Sequence, residues 1–136
     1  MMAAISDVYI INVTDKIEYR KTKHCVCISV SKNKGLLINT KNRGIYNELE
    51  INSETYSFLN GTNRFVACAL PIEFKDNEIV KKEGSLNHAD MLRIVEKLKS
   101  VKTKQILIQL KDIIAELESW LTNYNENKLA DAFGKR

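Results

Sequence analysis

The hydrophobic pattern of this chain changes period near Gly84. Before that point, β-branched and aromatic residues come in short runs divided by polar turns; after it, apolar residues recur at i, i+3, i+4 and i+7. The first pattern belongs to strands and the second to helices. The chain is therefore read as mainly β with C-terminal helices, an α+β arrangement in which short, closely spaced strands build a small barrel. Residues 1–83 form the barrel, 84–123 the helices, and 124–136 a polar tail. With 136 residues, 44% of them hydrophobic, the chain suffices for one buried core and is short for several domains.

Strands are predicted over 8–13, 25–30, 36–40 and 64–70, with Leu49 and Ile51 alternating against Glu48, Glu50 and Asn52 in another. Lys32-Asn33-Lys34-Gly35 joins the second and third as a hairpin. Pro71 is expected to end the last ladder, because proline has no N–H to donate. Asn87, with Asp90 three residues on, marks the start of a helix carrying Met91, Ile94, Val95, Leu98 and Val101 on one stripe. A second helix is predicted from about Lys104 to Leu121, giving a helical hairpin. Its broad apolar face has two readings: the chain's own core, or a partner-binding surface centred on Leu110, Ile113, Leu117 and Trp120.

No window supplies the roughly 20 apolar residues of a membrane span, and Met1 to Asp7 lacks the basic-then-apolar order of a secretory signal. A cytoplasmic protein without membrane partners is expected. Cys25, Cys27 and Cys68 are odd in number and lack a C-x-x-C, so neither a disulfide framework nor a zinc ribbon is indicated. His24 with Cys25 and Cys27 is the one imaginable ligand set, and it too reads as strand packing; no metal and no cofactor are expected. Phosphate-binding glycine loops, nucleophile elbows and paired carboxylates are missing from the sequence, which leaves nucleotide hydrolysis, esterase and dehydrogenase chemistry without support.

The formal charge is only +4, but it is uneven. Lys16, Arg20, Lys21, Lys23, Lys32, Lys34, Lys41 and Arg43 face a single acid, Glu18, between positions 16 and 43. Cations flanking strands can share one barrel rim and bind RNA phosphates; the alternative is a set of solvated loop charges. Tyr19 and Tyr46 stand near arginines, where they would either stack on bases or pack in the barrel. His24 beside Lys23 is a candidate general acid or base near neutral pH. Thr40-Lys41-Asn42-Arg43, at a strand end, offers a hydroxyl and two cations to a scissile phosphate.

The order of these pieces resembles the MazF/PemK toxin family, small ribonucleases of toxin–antitoxin modules. Ser6-Asp7-Val8-Tyr9 is similar to that family's opening G-D-[VI]-[YW] strand, with Ser in place of Gly. Lys23-His24-Cys25-Val26-Cys27-Ile28-Ser29 stands where the family has an Arg-Pro pair and an apolar strand. Leu37-Ile38-Asn39-Thr40 resembles the strand that ends in a hydroxyl, Glu48-Leu49-Glu50-Ile51 the H-V-x-[IL] strand, Arg64 to Leu70 the long apolar strand, and Asn87 to Lys99 the closing helix.

The resemblance implies a partly open SH3-like barrel, a homodimer, an antitoxin partner, and metal-independent cleavage of single-stranded RNA by attack of the ribose 2′-hydroxyl on the adjacent phosphate. Lys23, His24, Thr40 and Arg43 would be catalytic, and Arg20, Lys21, Lys41, Tyr46 and Lys75 would bind RNA. The family's second arginine, after the apolar strand, has no counterpart in Leu70-Pro71-Ile72-Glu73-Phe74-Lys75-Asp76, so Lys41, Arg43 or Lys75 would have to supply its charge. The alternative is a non-catalytic SH3-like module that binds nucleic acid or a protein through the same rim. A third reading makes the 106–121 stripe the working surface and the barrel its scaffold.

Overall fold

The structure, a computed structural model, describes residues 3–13, 22–101 and 110–123. Six antiparallel strands form one open sheet in the order β4-β5-β3-β2-β1-β6, where β1 is Asp7–Asn12, β2 Thr22–Ser29, β3 Lys34–Asn39, β4 Glu48–Ile51, β5 Arg64–Glu73 and β6 Ile79–Ser85. Helix α1 spans His88–Lys99, and a second helix, α2, is described over 110–123. The fold is thus α+β, a partly open, barrel-like sheet with two C-terminal helices.

The central strands are buried on both faces, which explains their unbroken apolar runs. Val8, Val26, Ile28, Leu36, Ile38, Val66 and Cys68 pack under Met91, Ile94, Val95 and Leu98 of α1 and Leu110, Ile113, Leu117 and Leu121 of α2. Tyr9, Ile11, Cys25, Cys27 and Leu37, alternating with these, meet Phe74 and the partly buried Ile72 and Ile79 on the opposite face. The 12-residue α1 starts as its sequence indicates: the Asn87 side chain accepts the Asp90 N–H. Asp90 in turn takes the Tyr56 hydroxyl at 2.5 Å and an Arg93 N–H at 2.8 Å, fixing the helix start to the β4–β5 connection.

One expectation about the strands is corrected, and one strand comes unannounced. Pro71 does not end β5, which continues to Glu73 and pairs Pro71 with Leu36. β5 has shifted register between Leu36 and Ile38, and its second half pairs with β3 alone, so the proline nitrogen has an open side to face. Residues 79–85, where no strand was predicted, form β6, an edge strand whose Lys81, Lys82 and Glu83 suit an edge exposed to water.

The apolar stripe of α2 faces inward. Leu110, Ile113 and Leu117 are no more than 1% exposed, and Trp120 packs partly buried against the same core. Burial within the chain corrects the reading of these side chains as a partner surface. The predicted helix start near Lys104 and the polar tail from 124 lie outside the described residues. Among the described residues no helix is long and apolar enough to cross a membrane.

Candidate functional site

The β2–β3 hairpin sorts the basic cluster into two groups. Its register pairs His24 with Ile38 at one end and Ser29 with Lys34 at the other, and the five steps of β2 separate these ends by roughly 17 Å. Lys32 and Lys34 belong to the turn end, where Asp112 of α2 lies 3.5 Å from Lys32 and Glu73 3.8 Å from Lys34. Glu116 of α2 completes that end, accepting from the Ser29 and Ser31 hydroxyls at 2.6 and 2.7 Å and from the Val30 and Ser31 amides at 2.9 and 3.3 Å. Burial would raise the Glu116 carboxyl, but these hydrogen bonds outweigh it and hold the group below the usual carboxylate range.

Lys23, His24, Thr40, Lys41 and Arg43 belong to the opposite end, yet they do not form one site. Successive strand residues point to opposite faces. Lys23 donates to Asn39 at 2.7 Å, and both stand in odd register with the buried Cys25 and Leu37. His24 is in register with Val26 and Ile28, on the face that the helices cover farther along. The same alternation separates His24 from Cys25 and Cys27, whose side chains are buried in the other cluster. Burial pushes the Cys27 thiol up to about 12, and the imagined His-Cys-Cys ligand set is not assembled. Among the described residues no group of three or more His, Cys, Asp or Glu is placed to hold a metal ion.

Residues distant in sequence surround His24 instead. Its Nε2 is buried and lies 3.7 Å from a Glu83 carboxylate oxygen of β6, longer than a hydrogen bond. Lys81 stands 3.6 Å from the same oxygen. Arg64, first residue of β5, is close enough to act on the imidazole electrostatically. Phe58 stacks beside the ring, with centroids 6.2 Å apart and planes inclined by 22°. Gly84 makes that placement possible, since a Cβ there would come within 3.0 Å of Phe58. Desolvation lowers the His24 pKa below its ordinary 6.5, Glu83 opposes the shift, and Arg64 adds to it.

The β3–β5 register pairs Ile38 with Val66 and Asn39 with Phe65, so its next step brings Thr40 level with Arg64. Thr40, Lys41 and Arg43 are exposed. The loop that carries them folds around Glu48, whose carboxylate accepts from the backbone amides of Arg43, Gly44 and Tyr46. Tyr46 is half-buried, its carbonyl accepting from Ala69. Lys75 follows Glu73, the partner of Lys34, and so belongs to the turn end of the hairpin rather than to the His24 end. Arg20, Lys21 and Tyr19 lie outside the described residues.

Sequence reasoning missed Glu83, Arg64, Lys81 and Phe58. The one available signal was Arg64, a lone cation opening an apolar strand. Glu83 carried none, because only the pairing of β1 with both β2 and β6 brings it to His24. No family model matches the chain, and no curated protein matches it either.

Proposed function

We propose that this protein is a toxin-type endoribonuclease that cleaves single-stranded RNA without a metal ion, and that its site centres on His24, Glu83 and Arg64. The observation that supports this reading is the His24–Glu83 pair, 3.7 Å apart at the end of the sheet opposite the hairpin turn, with Arg64 and Lys81 beside it. Such a pair is suited to abstract a proton, and catalytic contacts that are long in the free protein commonly tighten only when substrate binds. In the cleavage, neutral His24 takes the proton of the ribose 2′-hydroxyl and Glu83 steadies the imidazolium that results. The 2′-oxygen bonds to phosphorus, the bond to the 5′-oxygen breaks, and that oxygen takes a proton from solvent. The products are a 2′,3′-cyclic phosphate and a 5′-hydroxyl.

Arg64 supplies the charge that the sequence comparison sought in vain after β5; placed at its start, it stabilises the extra negative charge on the phosphate in the transition state. Thr40, level with Arg64, binds a neighbouring phosphate oxygen, and Lys41 and Arg43 extend the basic surface. The homodimer and the antitoxin partner form part of the same proposal and are read by the size of the purified chain alone and from its native source.

The test is cleavage of a single-stranded RNA in EDTA, with product ends mapped. Cyclic-phosphate ends are expected, with the rate falling about 10²- to 10⁴-fold in His24→Ala and less in Glu83→Gln. Cleavage unchanged in both variants overturns the assignment of the site. RNA binding with a steep salt dependence but no cleavage replaces the enzyme with a non-catalytic module.

A further inference from the structure

The loop between β3 and β4 is built around an anion. Amide N–H groups of Arg43, Gly44 and Tyr46 converge on the Glu48 carboxylate at 2.7, 3.1 and 2.9 Å. Gly44 adopts φ +73°, which turns its amide into the concavity, and successive amides turned inward in this way form an anion-binding nest. Its N–H is shared with the Asn42 side chain at 2.9 Å. The far end of the loop is pinned, because Asn47 donates to the Lys97 carbonyl at 2.8 Å and to the Ser100 hydroxyl at 2.9 Å. One end of the cradle is therefore held by contacts independent of its occupant. That occupant is a half-buried side chain at a strand start, and Lys41 and Arg43 of the same loop are exposed.

We propose that this loop is a phosphate-binding cradle which Glu48 caps in the free protein and vacates when a phosphate group arrives. Phosphate presents more acceptor oxygens than a carboxylate and engages Lys41 and Arg43 as well as the amides. The hydrogen bonds that hold Glu48 below the usual carboxylate range, against the rise that desolvation would cause, show how well the loop suits an anion. The cradle does not depend on cleavage at His24, and it stands if that reading fails.

The test follows the backbone amide resonances of Arg43, Gly44 and Tyr46 in the full chain, titrated with inorganic phosphate and, separately, with a 2′-deoxy oligonucleotide lacking a terminal phosphate. Wild type is compared with Glu48→Ala and Glu48→Gln, the latter keeping an acceptor oxygen so that the loop stays folded. All three amides are expected to shift in both variants, with apparent affinity at least tenfold tighter than wild type. Tighter binding of the oligonucleotide assigns the cradle to a nucleic-acid backbone and tighter binding of free phosphate to a small phosphate; either upholds it. Amides that respond to neither probe in Glu48→Gln, or that respond as in wild type, overturn the proposal and leave Glu48 a structural strut.

Discussion

The two ends of the β2–β3 hairpin carry cations from one stretch of sequence and use them differently. At the turn end, Lys32 meets Asp112 and Glu116 takes up the local amides and hydroxyls, both linking α2 to the sheet, while Lys34 meets Glu73 of β5. At the other end, Arg64 and Lys81 crowd a histidine and a carboxylate at 3.7 Å, and Thr40, Lys41 and Arg43 stay exposed. Local sequence composition is alike at both ends. The difference lies in which distant acids the fold delivers, and a basic run is thus no measure of a binding surface until its partners are known.

The sharpest contrast is in stability. Leu117, fully buried on the inner face of α2, should cost about 2–5 kcal/mol when changed to Ala, and Leu117→Asp should prevent folding. His24→Ala, by contrast, should cost about 1 kcal/mol or less, with chemical denaturation reading both. Equal losses would mean that the His24 end is as structural as the helix-covered end.

Glu116→Ala comes next. It strips an acceptor from two hydroxyls and two amides, which predicts a loss of about 1–3 kcal/mol. Glu116 also shapes the acid response. Its carboxyl is held below the usual range in the folded chain, so the unfolded chain takes up the proton first, and the stabilisation, present above the unfolded pKa, is lost as pH falls through the folded one. Glu116→Gln should flatten that acid limb, as measured by denaturation across pH.

A smaller shift separates the ends by activity. His24 is held below 6.5 by desolvation, so the acid limb of the cleavage profile should have its midpoint below 6.5. The smallest effect is expected for Lys32→Ala with Lys34→Ala: these exposed pairs are worth about 0–1 kcal/mol, and a greater loss would raise the turn end's ion pairs to a structural role.

Much of the fold was legible because it depends on local periodicity. Alternation marked Leu49 and Ile51, the i, i+3, i+4 stripe marked α1, and Asn87 marked its start. β6 was not legible, since Lys81, Lys82, Glu83 and Gly84 lack the apolar content of a central strand, and an edge strand does not need it. Pro71 misled because the ban on proline holds for a strand paired on both sides. The site was legible only at His24 and at the strand-end loop. Lys23 and His24, adjacent in sequence, diverge to opposite faces, while Arg64 and Glu83 join His24 through pairings that no local window contains.

The most direct measurement compares cleavage rates in EDTA for Arg64→Ala and for the double variant Lys32→Ala/Lys34→Ala on one single-stranded RNA. The account predicts a loss of about 10²- to 10³-fold for Arg64→Ala and a rate near wild type for the double variant. Equal rates in the two, or a greater loss in the double variant, would contradict the placement of the chemistry at the His24 end.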